Sequence, residues 1–465
     1  MGKFVDLAIR METRLGSKCV DDLWVPTRTS NCVQDIPQRI GPASIRLRKQ
    51  CIPDKIAAEV EAIDQLTVLQ VGTLNKPVRP DQGYGPVETV ICNVDKGLVS
   101  AGHRSIVACS ADSQTVGERH VTVRQGFGGY CQEESQESEE LLQRHLTHAL
   151  KRVMRGDIDV VHMHEWVRHL YNGVFNPPLP IVVTLHVPAT QSGLDEVSEN
   201  WNGNEPQPSV YFIAISEHQK REYSALVNIY RVIHHGVDVE TFPVPTTAIG
   251  NGYLFTIGRI TPDKGQDKAI ALARKSGFKL FLAGSVQNKV EDNDFFESLR
   301  GSIDLIVDVS KFDVGKNYYS SVIKPLVDCD QQVIFIGELN TSAKKHWYQH
   351  AIATLFPIQW EEPFGLVPIE SMACGTPVLA MKRGALPEIV VDGETGFLVD
   401  SLDGMVASLQ QLDTIDRSAC RRHIQQNFSL TRMAQDYIDV YRQVVEEHPC
   451  KHHPLEPQSI PVPVM

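Results

Sequence analysis

The sequence lacks long apolar runs, an excess of positive charge and closely paired cysteines. Its longest apolar stretches, such as 181–183, have the length of strands, whereas a membrane-spanning helix needs about 20 apolar residues. Lys and Arg number 45 against 57 Asp and Glu, and the net charge of −12 disfavours general binding to nucleic acid or to an anionic membrane. The first residues form no secretory h-region, and the ten cysteines include no Cys-x-x-Cys pair. We therefore expect a cytoplasmic protein with no nucleic-acid partner and no integral membrane association.

The 465 residues have the composition of an ordinary globular protein, with 42% apolar and 22% charged residues. From residue 67 onward, short β-rich runs alternate with segments of helical spacing, which is typical of doubly wound parallel sheets. Predicted strands of a first series lie at 67–71, 104–108, 157–163, 181–185, 211–215 and 231–233, and those of a second series at 253–257, 279–283, 333–336, 354–357 and 377–380. The sequence therefore predicts an α/β protein of two Rossmann-like domains with a cleft between them.

This alternation also predicts the domain boundaries. Residues 66–247 form the first predicted domain and residues 248–429 the second, with a glycine-containing linker around 246–252. A predicted helix at 430–447 is long enough to cross back to the first domain. Residues 1–65 carry no recognisable motif and are an N-terminal extension of unknown role, and the tail at 448–465 is predicted to be disordered.

The segment 361–377 carries the strongest chemical signal. A proline and a glycine interrupt the preceding strand, and a short helix is predicted to begin at Leu366. The free N–H groups of Phe364–Val367 at such a helix N-terminus form an anion site. Glu362 precedes the helix and Glu370 lies within it, so both carboxylates are near the same opening. Carboxylates accept hydrogen bonds from neighbouring hydroxyls, and this pair suits a sugar at one end and a ribose at the other.

The segment 257–265 carries a second signal, directly after the first strand of the second series. Ligands of such sheets bind at the carboxyl ends of the strands. Glycines at 258 and 265 permit a tight turn, and Arg259 and Lys264 can converge on one phosphate group. Because this turn lies beside the predicted helix N-terminus, the two cations favour a phosphate site over simple surface solvation.

Two histidines, His162 and His164, alternate along a predicted strand, so that both rings face one side of the sheet. Metals can use this geometry, but no third ligand stands at a suitable spacing. A packed or hydrogen-bonded pair is therefore the favoured interpretation. No convincing Asp-x-Asp motif stands near these strands, and we predict neither a metal site nor a bound cofactor.

Together, 257–265 and 361–377 resemble the glycogen-synthase-like retaining glycosyltransferases of the GT-B fold. The resemblance includes 216–222, 235–238 and 384–396, and it covers roughly residues 67–447. It implies that the second domain binds a nucleotide-sugar donor and that the first binds the acceptor. The donor-binding residues implied by the resemblance are Gly85, Arg259, Lys264, Gly337, Leu339, Glu362, Phe364, Gly365, Leu366, Val367 and Glu370.

The resemblance also implies roles for these residues. It assigns Arg259 and Lys264 to the diphosphate, Glu370 to the ribose hydroxyls and Glu362 to the donor sugar. The segment Gly337–Leu339 falls where the family holds the base.

In the first domain, the segment 83–88 resembles the family's glycine-rich loop, which approaches the donor phosphates and the acceptor. This similarity implies acceptor binding by Gly83 and Glu88, although Tyr84 departs from the family's usual pair of adjacent glycines. His186 occupies the position of the family histidine near the transferred sugar. The resemblance thus implies a catalytic set that consists of His186, Arg259, Lys264 and Glu362.

The predicted function is the retaining transfer of a hexose from a UDP- or GDP-sugar to a hydroxyl of a small-molecule or glycan acceptor, without a metal ion. A phosphorylase or a sugar-nucleotide epimerase on the same architecture is an alternative. A non-catalytic nucleotide-sugar-binding protein is another.

Overall fold

The computed structural model describes residues 65–128, 136–164, 177–189, 209–245, 252–287 and 289–448. The predictions for the N-terminal extension, for most of the linker and for nearly all of the tail therefore lie outside the described residues. None of the helices in the described ranges combines the length and the apolar content needed to cross a bilayer.

The first sheet consists of seven parallel strands in the order β3-β2-β1-β4-β5-β6-β7 among the described residues. Its strands are β1 (Thr67–Val71), β2 (Arg104–Ser110), β3 (Glu118–Val123), β4 (Val160–Met163), β5 (Ile181–Thr184), β6 (Val210–Ala214) and β7 (Ile229–Val232). The helices between them are α1 (Pro86–Ser100), α2 (Gln136–Val153) and α3 (Glu217–Tyr223). The central strands β4 and β5 are buried along their whole length, which explains their continuous apolar sequence.

The second sheet, also of seven parallel strands, has the order β10-β11-β9-β8-β12-β13-β14. Its strands are β8 (Tyr253–Ile257), β9 (Leu280–Ala283), β10 (Leu305–Ile306), β11 (Val333–Phe335), β12 (Ala351–Phe356), β13 (Val378–Met381) and β14 (Gly396–Val399). The helices of this region are α4 (Gln266–Ser276), α5 (Val290–Arg300), α6 (Lys324–Asp328), α7 (Thr341–His350), α8 (Leu366–Ala373), α9 (Leu386–Ile389), α10 (Leu402–Ser408) and α11 (Arg417–Asn427). The predicted α/β architecture of two doubly wound sheets is confirmed.

The last helix, α12 (Leu430–Glu447), packs on the first sheet rather than on the second. Its apolar face joins a core with β1, β4, β5 and β6, and Tyr437 and Tyr441 are fully buried there. Helix α12 approaches α1 so closely that a Cβ on Gly97 would lie 2.5 Å from the Cβ of Ala434. We call the first sheet with its helices and α12 the N-terminal lobe, and the second sheet with α4–α11 the C-terminal lobe.

One predicted strand is shorter than its apolar pattern indicates. The prediction began at Asp157, but β4 begins at Val160. The carboxylate of Asp157 instead pairs with the guanidinium groups of Arg104 and Arg152, which lowers its pKa far below the ordinary value. The first three residues of the predicted strand therefore lie outside β4, and Asp157 forms ion pairs at the end of the sheet.

Candidate functional site

A cavity of about 420 Å³ lies between the carboxyl ends of the strands of the two sheets. The N-terminal lobe contributes the loop before α1 and the residues after β5, and the C-terminal lobe contributes the turns after β8, β11 and β12. The predicted site residues that line it are Gly83, Gly85, His186, Arg259, Lys264, Leu339, Glu362, Phe364, Gly365, Leu366, Val367 and Glu370. Among the predicted site residues, only Gly337 and Glu88 do not line the cavity.

Helix α8 begins in the cavity wall. Gly365 precedes it with a φ of 118°, a conformation that favours glycine, and no side chain within the described ranges caps the first turn. Its first residues, Leu366 and Val367, line the cavity, so the unpaired N–H groups of this helix end are available to a negatively charged ligand. The predicted helix N-terminus is therefore present where the sequence indicated.

Lys264 and Glu362 form an ion pair in the cavity wall. The Lys264 Nζ lies 2.7 Å from Glu362 Oε2, and Trp360 Nε1 donates to the same oxygen at 3.0 Å. The ammonium also lies 4.4 Å from the centroid of the Trp360 ring, which is a cation–π distance. Both donors use Oε2, and Oε1 has no hydrogen-bond partner among the described residues and is not buried. One oxygen of Glu362 is therefore held by the protein while the other can accept from a ligand.

A tight turn positions this lysine. Lys264 ends a short 3₁₀ helix after β8, and Gly265 follows with a φ of 70°. A Cβ on Gly265 would lie 2.0 Å from the carbonyl oxygen of Pro357, so only glycine fits here. The turn therefore packs directly against the segment that carries Trp360 and Glu362.

Arg259 is the second cation in the cavity wall. Its guanidinium lies 3.6 Å from a carboxylate oxygen of Asp263, and its buried Nε has no hydrogen-bond partner among the described residues. A buried donor without a partner is costly, and an anionic ligand would satisfy it. Arg259, Lys264 and the α8 N-terminus thus line the same cavity, where each can donate to an anionic ligand.

Glu370 is held deeper in the same wall by two residues of α7. Lys344 Nζ lies 2.5 Å from Glu370 Oε1, and the hydroxyl of Tyr348 donates to Oε2 at 3.0 Å. Burial raises the pKa of Tyr348 well above its ordinary value, so this hydroxyl stays protonated. Lys344 and Tyr348 lie four residues apart on one helix face, and both line the cavity. Neither residue was predicted from the sequence, although this spacing is the signal that could have revealed them.

The glycine-rich loop of the N-terminal lobe contacts the C-terminal lobe. The backbone N–H of Tyr84 donates to Glu338 Oε1 at 2.6 Å, and Lys76 Nζ lies 3.6 Å from the same oxygen. A Cβ on Gly83 would lie 2.0 Å from this oxygen, so glycine makes room for the carboxylate. Glu338 lines the cavity and lies in the segment Gly337–Leu339 that was expected near the base, but its contact with the N-terminal lobe was not predicted, because it depends on how the two lobes approach each other.

Glu88 turns away from the cavity. Its Oε1 accepts from the Thr73 hydroxyl at 2.6 Å and from the backbone N–H of Lys76 at 3.2 Å, and burial raises its pKa. The carboxylate therefore holds the loop after β1. Its implied contact with an acceptor stays a prediction that this geometry does not favour.

Gly337 lines a second, smaller depression rather than the main cavity. This depression has a volume of about 330 Å³ and includes Asp308 and Phe335. It shares Gly284, Ser285 and Glu338 with the main cavity. The segment Gly337–Leu339 therefore borders two adjoining spaces, and base binding by it stays a prediction.

Four histidines of the N-terminal lobe form a row of neighbouring rings, and two of them, His186 and His235, line the cavity. The ring centroids of His162 and His164 are 4.0 Å apart, those of His164 and His186 are 5.4 Å apart, and those of His186 and His235 are 5.4 Å apart. Burial lowers the pKa of each ring, to about 3 for His186. Within the described ranges, no group of three potential ligands is arranged to bind a metal ion. The packed and hydrogen-bonded interpretation of His162 and His164 is confirmed.

Two models of glycosyltransferase families match adjoining parts of the chain. Residues 241–412 match the model described as glycosyl transferases group 1, and residues 85–241 match the model described as glycosyltransferase family 4. The D-inositol 3-phosphate glycosyltransferase of Acidothermus cellulolyticus is 28% identical over 287 residues, which are 53% of this chain and 57% of that protein. The lipopolysaccharide core biosynthesis mannosyltransferase LpcC of Rhizobium leguminosarum is 27% identical over 240 residues, 47% of this chain and 61% of that protein. The chain thus matches less than two thirds of the length of these relatives.

Solved structures share the fold at low sequence identity. Sucrose-phosphate synthase from Thermosynechococcus elongatus is 18% identical with a TM-score of 0.61, over 82% of this chain and 100% of that chain. Anabaena HepE in complex with UDP-glucose is 17% identical with a TM-score of 0.58, again over 82% of this chain and 100% of that chain. With two parallel seven-stranded sheets that meet at this cavity, the chain has the GT-B fold, and its two glycosyltransferase family matches together span residues 85–412.

Proposed function

We propose that the protein is a retaining glycosyltransferase that moves a hexose from a UDP- or GDP-sugar to a hydroxyl acceptor without a metal ion. The observation that carries the proposal is the convergence of Arg259, Lys264 and the N-terminus of α8 on one cavity between the lobes. The mannosyltransferase name of one relative and the UDP-glucose in the HepE structure support a nucleotide-sugar donor.

The positive groups of the C-terminal lobe act on the leaving diphosphate. As the bond between the anomeric carbon and the phosphate oxygen breaks, negative charge grows on the diphosphate. Arg259, Lys264 and the first N–H groups of α8 stabilise that charge, and each well-placed donor contributes about 2.7–4 kcal/mol in comparable oxyanion sites. Two side-chain cations and a helix end supply the charge that a metal ion supplies in other transferases.

The two glutamates orient the donor. Glu362 keeps Oε2 on Lys264 and Trp360, and its Oε1 accepts from a hydroxyl of the hexose. Glu370, held by Lys344 and Tyr348, accepts from the ribose hydroxyls. The two carboxylates thus fix opposite ends of the donor on either side of the diphosphate.

The transfer proceeds on one face of the sugar. The acceptor oxygen forms a bond to the anomeric carbon on the side from which the diphosphate leaves, and the hydroxyl proton passes to the leaving phosphate oxygen. This route needs no enzyme nucleophile, and the configuration at the anomeric carbon is retained.

Calorimetry and product analysis test this proposal. UDP, GDP, ADP and their hexose derivatives are titrated into the folded protein, and release of nucleoside diphosphate is followed with a panel of hydroxyl acceptors in the presence of a chelator. We expect selective binding, turnover that survives the chelator, and a product of retained configuration by NMR. Absence of binding heat with every donor, or an inverted product, contradicts the proposal. Turnover that depends on a lysine-bound pyridoxal phosphate favours the phosphorylase alternative, and binding without turnover favours the non-catalytic one.

A further inference from the structure

A row of buried polar side chains connects the cavity with the interior of the first sheet. Nε2 of His186 lies 3.1 Å from Nδ1 of His164, and Nε2 of His164 lies 3.2 Å from Oε1 of Gln70. The Gln70 amide donates to the hydroxyl of Ser105 at 3.1 Å. Gln70, Ser105 and His164 are at most 1% exposed, so water does not compete for these hydrogen bonds.

Both imidazoles in this row are neutral. Burial lowers the pKa of His186 to about 3 and holds the pKa of His164 well below its ordinary value. A neutral imidazole carries one N–H donor and one acceptor nitrogen. The direction of one hydrogen bond in the row therefore determines the direction of the next.

The amide of Gln70 sets this direction. Its NH₂ group faces Ser105, so its carbonyl oxygen accepts the N–H of His164 Nε2. Nδ1 of His164 is then an acceptor and takes the N–H of His186 Nε2. The remaining nitrogen, Nδ1 of His186, bonds no group in the described parts of the chain and is not buried, and His186 lines the cavity.

We propose that Gln70 and His164 are positioning residues that fix the tautomer of His186, so that its Nδ1 presents a hydrogen-bond acceptor to the cavity. The use of this acceptor rests on the proposed function: it receives the hydrogen of a hydroxyl on the bound donor sugar and orients that hydroxyl. The tautomer itself is a property of the unliganded protein and does not depend on any activity.

His162 provides a matched control. It is as buried as His164 and packs against it, with ring centroids 4.0 Å apart. Its two nitrogens lie 2.8 Å from the hydroxyls of Thr184 and Tyr441, and within the described structure it has no hydrogen bond to His186. Its replacement therefore perturbs the same core without interrupting the row.

Nitrogen-15 NMR of the unliganded full chain, labelled at histidine, tests the inference. The His186 signals are assigned by their loss in His186→Gln. We expect the proton on Nε2 and a lone pair on Nδ1 in the natural protein between about pH 6 and pH 8. Gln70→Leu and His164→Phe should each increase the Nδ1–H form, whereas His162→Phe should not.

Two results would overturn the inference. One is a proton on Nδ1 of His186 in the natural protein, a result that requires neither Gln70→Leu nor His164→Phe to fold. The other is an unchanged tautomer in both Gln70→Leu and His164→Phe, which would show that another contact selects it.

Nucleoside diphosphate release from UDP-glucose and GDP-mannose adds an activity measurement. We expect Gln70→Leu to lower kcat/KM about tenfold, the effect of one lost neutral hydrogen bond, while His162→Phe changes it far less. If the natural protein releases nothing from any donor, the proposed function fails while the tautomer result stands. If the tautomer is the opposite one, the inference fails whatever the activity.

Discussion

The part of the cavity wall that the C-terminal lobe forms (the C-terminal or charged wall) and the part that the N-terminal lobe forms (the N-terminal or neutral wall) differ in how they hold polar groups. The C-terminal wall carries charges in ion pairs, as in Lys264–Glu362 and Lys344–Glu370. The N-terminal wall carries neutral imidazoles, and burial lowers the pKa of His186 to about 3. Charged groups suit a diphosphate, whereas neutral acceptors suit sugar hydroxyls. In the proposed complex, the charged groups would therefore face the diphosphate, and the neutral imidazoles would add acceptors for sugar hydroxyls to that of Glu362.

The largest expected effect comes from removing one partner of the deeper ion pair. Glu370→Leu leaves the Lys344 ammonium without its carboxylate, where the two side chains are only 12% and 5% exposed. We expect a loss of about 3–5 kcal/mol in the free energy of unfolding, measured by urea denaturation. Asp403→Ala is the control, because its pair with Lys275 has the same 2.5 Å distance but is 82% and 56% exposed. An equal loss of unfolding free energy in both variants would contradict the expected difference between the buried pair and the exposed pair.

The next largest effect concerns the charged wall in catalysis. Lys264→Ala removes one of the two cations proposed to bind the diphosphate, and we expect kcat/KM to fall about 100-fold or more, with the fold intact by circular dichroism. Lys268→Ala is the control, because this lysine lies four residues further along the chain on α4 with a side chain 45% exposed. A Lys264→Ala protein that kept more than about a tenth of kcat/KM would show that the diphosphate assignment is wrong.

The neutral wall should make the protein sensitive to acid. His186 has a folded-state pKa of about 3 against an ordinary value of 6.5, so the unfolded chain binds its proton first as the pH falls. The stability that the folded protein has while His186 is neutral is therefore fully present above about pH 6.5 and is lost as the pH falls toward 3. His186→Gln should reduce the slope of unfolding free energy below pH 6.5 by about 1.4 kcal/mol per pH unit. Urea titrations at pH 6 and pH 5 measure this slope, and an unchanged slope would show that His186 is not the group responsible.

The smallest effect concerns a neutral donor within the charged wall. Trp360→Phe removes the N–H that binds Glu362 Oε2 but keeps a ring beneath Lys264. We expect a fall in kcat/KM of about threefold to tenfold. Trp360→Leu also removes the cation–π contact and should fall further. Equal rates for the two variants would show that the aromatic face contributes nothing.

The sequence predicted the central strands of both sheets and missed strands at their edges. Buried strands such as β5 have continuous apolar runs, because both faces are covered. The missed strand β3 (Glu118–Val123) is an edge strand with mostly polar, partly exposed residues, and β10 has only two residues. Edge strands depend on pairing with a neighbour, and their own sequence carries little of that information.

The same limit applies to the site. Arg259, Lys264 and Glu362 lie in short segments whose local pattern indicates their position in the cavity wall. Glu338 reaches the cavity through a contact between the lobes, and no local pattern reports such a contact. Glu88 shows the opposite case, since it stands in the right segment but its carboxylate turns to the loop after β1.

The crossing of α12 has a consequence for biosynthesis. Its residues complete the apolar layer beneath the first sheet, yet they follow the whole C-terminal lobe in the chain. During synthesis on the ribosome, apolar residues of the N-terminal lobe such as Val68 and Val94 therefore stay uncovered by α12 until the C-terminal lobe has been translated. The hydroxyl of Tyr441, which anchors His162, arrives at the same late moment. The packing around His162 is thus completed last, although its strand is synthesised among the first.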